Sequence, residues 1–213
     1  DRLSAMFKPR KTIYAKVTYA DIAGLEGGSA RSGISGTLLN QLAQMEGLIH
    51  VVRCFEDEAV PHPSGGVDPG RDIASMNGEL LLNDLIAVER KLERLSEERK
   101  KGGTDKLQNE RQTALFTHLH EILSAEKPLR RAEISVEQEK LLSGFGLLTR
   151  KPLLVLLNLG EGQAEPQLQA DVPLIALQGK LEMEIAQLPP EDAAIFMTEY
   201  GLTELSLNRM ISV

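Results

Sequence analysis

Residues 152–161 read Pro152-Leu-Leu-Val-Leu-Leu-Asn-Leu-Gly-Glu161 and decide the fold. The five consecutive apolar residues at 153–157 follow a proline and precede Asn158. Such a run is typical of a strand that is buried on both faces inside a parallel sheet. Because asparagine and glycine favour turns, we expect this strand to end at Asn158 and a polar loop to follow it.

The segments on either side of this run predict further strands. Residues 48–55 form a compact apolar run with two valines, and residues 173–177 form a shorter one. Residues 11–19 alternate apolar and polar side chains with a period of two, which is the pattern of a half-buried strand. Helical spacing of apolar residues appears at 37–46, 180–187, 193–200 and from 203 onward. Strands interleaved with helices indicate an α/β fold with a mostly parallel sheet.

A long helical block interrupts this pattern. Asp72 is a candidate N-cap for a helix with an apolar stripe that continues to Gly102-Gly103, and a second helix is expected over 104–126. Two amphipathic helices joined by a short glycine turn indicate an antiparallel hairpin. Ser135 with Gln138 is a capping-box pattern that starts a third, shorter helix.

The absence of any strand pattern from the helical block defines the domain organisation. We interpret residues 84–146 as an inserted helical hairpin domain, and residues 1–83 together with 147–213 as the α/β core. The interrupted core would be one structural unit made from two separate parts of the chain.

Composition limits the classes of protein to consider. The 213 residues carry a net charge of -7, which disfavours broad nucleic-acid binding outside a local basic patch. A single cysteine, Cys54, excludes an internal disulfide framework and a cysteine-rich zinc site. No apolar run approaches the ~20 residues that span a bilayer, and no signal peptide opens the sequence. We therefore expect a cytoplasmic protein with no membrane partner.

Two polar turns follow predicted strands and could carry chemistry. In Asp21-Ile-Ala-Gly24, the carboxylate can hold Mg²⁺ through water and the glycine amide can face a γ-phosphate. In the second turn, Asn158 can orient the loop while Glu161 accepts hydrogen bonds from a purine edge. Each motif taken alone is also compatible with an ordinary turn.

A third loop, Ala176-Leu177-Gln178, follows another predicted strand, and its backbone amides could contact a base. Ligands of open parallel sheets bind at the carboxyl ends of the strands. The order D-x-x-G, N-x-x-E and then a small-residue loop is the order found in GTPases of the Ras and translation-factor class.

Longer strings carry a closer resemblance. Residues 21–25 (DIAGL), 50–57 (HVVRCFED), 66–69 (GVDP) and 199–202 (EYGL) resemble the YchF subfamily of Obg-related P-loop NTPases, also called Obg-like ATPases. The similarity extends to Asp72-Ile73, to the pairs at 79–80 and 84–85, and through the helical insertion to Asn158 and Glu161.

The resemblance implies a P-loop NTPase-like domain, here partial, interrupted by a helical coiled-coil domain and followed by a TGS domain. Family members hydrolyse nucleoside triphosphates, with Mg²⁺ as the expected cofactor of ATP or GTP. Asn158 and Glu161 match the N-x-x-E motif that is associated with a preference for ATP. Leu25 matches the hydrophobic residue that stands where Ras-like enzymes place a catalytic glutamine, which implies slow turnover.

The sequence departs from the family in two places. It contains no G-x-x-x-x-G-K-[ST] phosphate loop, which in the family lies upstream of the residues that match Asp1. The expected glycine-rich switch segment reads Ser-Gly-Ile-Ser-Gly-Thr at 32–37. We therefore expect a core piece of a longer NTPase, truncated before the phosphate loop and before the TGS domain, and inactive on its own.

The alternative function is a non-catalytic interaction module or scaffold. The charge run at residues 97–101 is compatible with a solvated helix end or with a docking tip on the hairpin. The resemblance implies that such a tip would meet the ribosome or other components of the translation machinery.

Overall fold

The structure is a computed structural model that describes residues 2–12, 16–22, 34–102 and 105–212. Short helices flank a small sheet, and one long hairpin rises from it. The elements, in chain order, are α1 (Arg2–Phe7), α2 (Gly36–Gln44), β1 (Leu48–Arg53), α3 (Pro69–Lys101), α4 (Lys106–Ser124), a 3₁₀ turn (Leu129–Arg131), α5 (Val136–Leu142), β2 (Leu153–Asn158), β3 (Leu174–Leu177), α6 (Gly179–Ala186), α7 (Pro190–Glu199) and α8 (Ser206–Ser212).

The sheet confirms the α/β fold with parallel strands. Its three described strands run in the order β1-β2-β3, and both pairings are parallel. The central strand β2 is the apolar run of the opening motif, with Val155 and Leu157 fully buried. Because β2 has a strand on each side and side-chain cover on both faces, its continuous hydrophobicity matches its position.

The predicted strand over residues 11–19 is not seen. Its described residues, 11–12 and 16–19, have no regular secondary structure, and residues 13–15 lie outside the described part of the chain. Val17 and Tyr19 are 64% and 53% exposed. An alternating pattern produces a strand only where a neighbouring strand completes the hydrogen-bond ladder, and no described strand lies beside this segment.

The N-cap of helix α3 is Asp68, four residues before the predicted N-cap, Asp72. The Asp68 side chain accepts a hydrogen bond from Arg71 N at 3.0 Å, and Pro69 occupies the first helical position. Asp72 lies instead in the first turn, where it contacts His62 Nε2 at 3.1 Å. Gly102, with φ of 71°, ends the helix as the glycine turn predicts.

The hairpin of α3 and α4 has its own apolar core. Its buried side chains are Val88, Leu95, Leu115, Phe116, Leu119, Leu123, Leu129, Leu142 and Leu147. Asn109 is buried among them and donates a hydrogen bond to Leu95 O at 3.0 Å, which fixes the register of the two helices. Among the described helices, none has the combined length and apolar character that a membrane crossing needs.

The short helix α5 begins as its sequence predicts. Ser135 and Gln138 form the predicted capping box, with both reciprocal hydrogen bonds present.

One buried carboxylate joins the hairpin to the sheet. Asp84, which is 2% exposed, accepts hydrogen bonds from Leu148 N at 2.7 Å, Thr149 N at 2.7 Å and Thr149 Oγ1 at 2.6 Å. Thr149 Oγ1 in turn accepts from Leu129 N at 3.2 Å. Burial raises the pKa of the Asp84 carboxyl, and the hydrogen bonds from Thr149 and Leu148 offset part of that shift.

We predict that Asp84→Ala lowers the free energy of unfolding by about 2–4 kcal/mol, because two buried N–H groups and one hydroxyl lose their acceptor. Chemical denaturation followed by circular dichroism measures this loss. Asn83→Ala is the matched control, since the Asn83 side chain donates only to Glu79 O within its own helix. An equal loss in the two variants would contradict the assigned role of Asp84.

Candidate functional site

The carboxyl ends of the three strands are joined by backbone hydrogen bonds. Cys54 N donates to Asn158 O at 2.9 Å, and Leu159 N donates to Leu177 O at 2.8 Å. These bonds continue the sheet ladder one residue beyond the strands. The turns that follow β2 and β3 therefore leave the sheet at the same edge, where open parallel sheets place their ligands. We call this region, formed by residues 54, 158–163 and 177–179, the strand-end edge.

The side chain of Asn158 connects two of these turns. Its Oδ1 atom accepts a hydrogen bond from Gly179 N at 3.1 Å, where α6 begins. The backbone approaches closely here, since a β-carbon on Gly179 would lie 2.8 Å from Asn158 Oδ1. Asn158 thus holds the start of the loop after β3 against the end of β2.

Glu161 lies in a tight turn directly after β2. Gln163 N donates to Gly160 O at 3.2 Å and closes the turn, in which Gly162 has φ of 65°. Glycine adopts this left-handed conformation without steric cost. Glu161 is exposed at this turn, so its carboxylate is free to accept hydrogen bonds from a ligand.

Gln163 braces the same turn and was not identified from the sequence. Its Oε1 accepts from Gly160 N at 2.8 Å, and its Nε2 donates to Cys54 O at 2.6 Å. The side chain therefore ties the turn after β2 to the end of β1. No pattern could have indicated this role, because a glutamine in a polar loop is unremarkable in sequence.

The residues of the third predicted loop lie at the end of β3. Ala176 and Leu177 are its last two residues, and Gln178 is the N-cap of α6 without a capping bond from its side chain. Leu177 O is used in the ladder to Leu159, while Ala176 O accepts a hydrogen bond from Arg209 Nη2 at 2.8 Å.

Two residues from the following helices were missed by the sequence interpretation. Arg209 reaches back from α8 to β3, and Glu182 of α6 accepts hydrogen bonds from both Ser206 N and Ser206 Oγ at 2.6 Å. Glu182 is 8% exposed. In the sequence, Glu182 is a charged residue in a predicted helix. That position gives little indication that its side chain is buried and bonded to Ser206.

The predicted catalytic turn is described only at its start. Asp21 is exposed and lies outside regular secondary structure, while Gly24 and Leu25 lie outside the described residues. Within the described residues, no hydrogen bond links Asp21 to the turns after β2 or β3. No group of three or more metal-ligating side chains occurs among them either.

The part of the chain that follows β2 is acidic. From residue 161 to the end, the chain has nine acidic residues and only two basic ones, Lys180 and Arg209. Phosphate groups bind where Lys, Arg or backbone amides concentrate positive potential. Acidic residues thus outnumber basic ones in the segment that contains the turns after β2 and β3.

Comparison with known proteins places the chain beside one group of nucleotide hydrolases. It is 33% identical to "Ribosome-binding ATPase YchF" of Bacillus subtilis over 224 residues, which cover 99% of this chain and 60% of the relative. It is 33% identical to the protein of the same name from Escherichia coli O157:H7, with the same coverage. "Obg-like ATPase 1" of Oryza sativa subsp. indica is 30% identical over 93% of this chain and 54% of the relative.

A solved structure gives the same result at the level of fold. The Schizosaccharomyces pombe YchF GTPase matches with a TM-score of 0.76 and 25% identity, covering 99% of this chain and 60% of the solved one. No protein-family model matches the sequence. The chain thus spans about 60% of the length of the YchF relatives it matches.

We predict that Gln163→Ala speeds amide hydrogen exchange at Gly160 by about five- to tenfold, the equivalent of losing ~1 kcal/mol of local hydrogen bonding. Exchange measured by mass spectrometry or NMR tests this. Gln167→Ala, a change at an exposed glutamine in the same loop, is the control. Unchanged exchange at Gly160 in the Gln163 variant would show that the turn does not depend on this brace.

Proposed function

The chain belongs to the YchF-type relatives of the Obg-like ATPases, and we propose that its strand-end edge binds the base of a nucleoside triphosphate. In this proposal the chain is the nucleotide-binding core of a slow ATPase or GTPase, with ATP preferred. Hydrolysis is included in the proposal because the relatives' names state ATPase activity. Residues 84–146 form the inserted hairpin domain, and residues 1–83 with 147–213 form the core.

One observation carries the proposal. Asn158 Oδ1 accepts from Gly179 N at 3.1 Å, which holds the turn after β2 and the loop after β3 against each other. A base that enters between them meets preorganised groups, so little order has to be imposed when it binds. The exposed carboxylate of Glu161 supports base reading, because it can accept hydrogen bonds from an amino group on the ring edge.

The proposal assigns the phosphate end of the site to the D-x-x-G turn. Asp21 would hold Mg²⁺ through water, since Mg²⁺ commonly binds through one or two carboxylates together with substrate phosphates. The exposure of Asp21 fits that use. When bound, the metal would neutralise charge on the phosphates. Gly24 would donate its amide to the γ-phosphate, and Leu25 would leave the attacking water unoriented, which supports slow turnover.

We predict that fluorescently labelled ATP binds this chain more tightly than labelled GTP in the presence of magnesium. Glu161→Ala should weaken ATP binding by about five- to tenfold, because a charge-assisted hydrogen bond to the base is lost. Glu165→Ala removes an exposed carboxylate from the same loop and is the matched control. Fluorescence anisotropy titrations give the dissociation constants.

Two results would contradict this assignment. A clear preference for GTP would show that Asn158 and Glu161 do not read the base as proposed. An absence of binding to either nucleotide would show that the strand-end edge alone does not form a nucleotide site.

A second proposal assigns a binding partner to the far end of the hairpin. It is favoured because the charge of that end is opposite in sign to the net charge of the chain. The chain has a net charge of -7, yet residues 90–111 at the far end of the hairpin contain eight Lys and Arg against five Asp and Glu. Lys100, Lys101 and Lys106 are exposed there. Exposed basic side chains attract the phosphate backbone of RNA, so we propose that this end docks on a ribosome, the partner that the relatives' names state.

We predict that the double change Lys100→Glu and Lys101→Glu weakens co-sedimentation with ribosomes by about tenfold at low salt, and that the difference shrinks as salt rises. Lys180→Glu on α6 is the control, since it reverses another exposed charge away from the hairpin. Ribosome binding that is equal in all three proteins would exclude the hairpin end as the contact.

A further inference from the structure

A cavity of ≈ 180 Å³ lies where the hairpin joins the core. Leu80 and Leu81 of α3, together with Pro128 after α4, form its apolar lining. Thr149 and Asp171, which also line it, precede β2 and β3, so the cavity lies near the amino ends of these strands and shares no residue with the strand-end edge. It has room for more than one water molecule, yet it is smaller than the about 300–1,000 Å³ of pockets that take drug-sized ligands. The cavity therefore suits a small organic molecule.

Glu126 lines the cavity in a backbone conformation that a glutamate rarely adopts, with φ of 55°. It follows Ala125, the C-cap of α4, and its own N–H donates to Leu123 O at 2.9 Å. Lys127 N donates to Ile122 O at 3.2 Å, which completes a Schellman turn. Glycine is the usual residue at this position, because a side chain is disfavoured at positive φ. Within the described part of the chain, the Glu126 carboxylate forms no hydrogen bond or ion pair, so no contact inside the fold accounts for a glutamate here.

Arg130 brings to the cavity a guanidinium group whose donors are mostly unused. A guanidinium has five N–H donors, and among the described residues only Nε of Arg130 has an acceptor, Lys151 O at 3.4 Å. Nη1 lies 3.9 Å from Asp171 Oδ2, which is too far for a hydrogen bond. The side chain is only 13% exposed, but neither terminal nitrogen is closed to a ligand. The two terminal nitrogens are therefore available to an oxyanion, the group that arginine binds most strongly.

Asn77 supplies a further polar group from α3. Its side-chain amide has no hydrogen-bond partner among the described residues, and it is not closed to a ligand either. An amide can both donate and accept hydrogen bonds. The cavity thus combines a carboxylate, a guanidinium and an amide, all uncommitted, with an apolar lining.

We propose that this cavity binds the zwitterion of a small α-amino acid with an aliphatic side chain. The ligand's carboxylate accepts hydrogen bonds from the terminal nitrogens of Arg130 and from the amide of Asn77. Its ammonium group donates to the carboxylate of Glu126, and its side chain packs on Leu80 and Leu81. The site is separate from the proposed nucleotide site and does not depend on it.

The charges of the lining favour a zwitterion over a simple anion or cation. Asp171 is already shared, since Arg131 Nε lies 3.8 Å from Oδ2, the same oxygen that faces Arg130. One free carboxylate, that of Glu126, and the under-used guanidinium of Arg130 remain. An anion alone would leave Glu126 unpaired, and an amine alone would leave Arg130 unpaired. A molecule that carries both charges meets an opposite charge at each end.

The test compares three molecules of similar shape and different charge. L-valine is titrated against the chain beside 3-methylbutanoate, which lacks its ammonium group, and isobutylamine, which lacks its carboxylate. Two-dimensional NMR follows the backbone amides of residues 77 and 126–130 and gives the dissociation constants. We expect L-valine to bind about tenfold more tightly than either analogue, because each analogue loses one charge-assisted hydrogen-bonded pair.

Variants separate recognition from support of the fold. Glu126→Gly should unfold at an equal or higher temperature, because glycine adopts the positive φ without strain, yet it should bind L-valine about tenfold more weakly. Arg130→Met keeps an apolar stem and should weaken binding by a similar factor, about tenfold. Arg131→Met is the control, since it removes the other arginine at Asp171 without changing the lining, and it should leave binding within about twofold. If Arg130→Met does not fold, as judged by circular dichroism, Glu126→Gly against Arg131→Met decides the question.

Three outcomes overturn the inference in distinguishable ways. Equal binding of L-valine and its two analogues would show that the cavity selects only an apolar group. Unweakened binding of L-valine to Glu126→Gly would remove Glu126 as the partner of the ammonium group. If neither L-valine nor L-leucine shifts the amides of residues 77 and 126–130, the cavity holds water only. None of these results affects the titrations of labelled ATP and GTP, so the two proposals stand or fall separately.

Discussion

The carboxylate of Asp84 is the interaction on which the arrangement of the molecule depends. It lies midway along α3 and accepts hydrogen bonds from the backbone of Leu148 and Thr149, just before β2. The apolar cluster of the hairpin and the clusters around the sheet meet at this point, since Leu147 belongs to one and Leu148 to another. A buried carboxyl group is tolerated here because neighbouring donors satisfy its oxygens, and those donors come from the segment that precedes the central strand.

The strand-end edge relies on backbone groups more than on unusual side chains. The bonds from Cys54 N to Asn158 O and from Leu159 N to Leu177 O join the three strand ends, and they need only the correct strand order. Side chains then refine the edge: Asn158 sets the loop after β3, and Gln163 sets the turn after β2. The backbone of the sheet therefore sets most of the geometry of this edge, and the side chains adjust it. Short motifs that are weak signals in the sequence can for this reason occupy defined positions in the structure.

Sequence patterns predicted the parts of the structure that have strong local causes. The buried run at 153–157, the glycine end of α3 and the Ser135 capping box all follow from hydrophobicity or backbone conformation alone. The strand expected over 11–19 is not seen at its described residues, 11–12 and 16–19, because a strand also needs a neighbour. Gln163 and Arg209 could not be identified, since their hydrogen bonds join segments far apart in the chain. Gly24 and Leu25 remain predictions.

Because α3 is long, a small rotation at Asp84, where it is attached to the segment before β2, would move its far end by several ångströms. The helix has 33 residues, so at 1.5 Å per residue it is about 50 Å long, with Asp84 near its midpoint. The half that extends past Asp84 is about 25 Å long, and a rotation of about 10° at that point displaces its end by about 4 Å. A movement of the Leu148–Thr149 backbone too small to disturb the sheet is therefore magnified at the far end of the hairpin. A molecule bound at that end would be displaced by movements of the core that it does not contact.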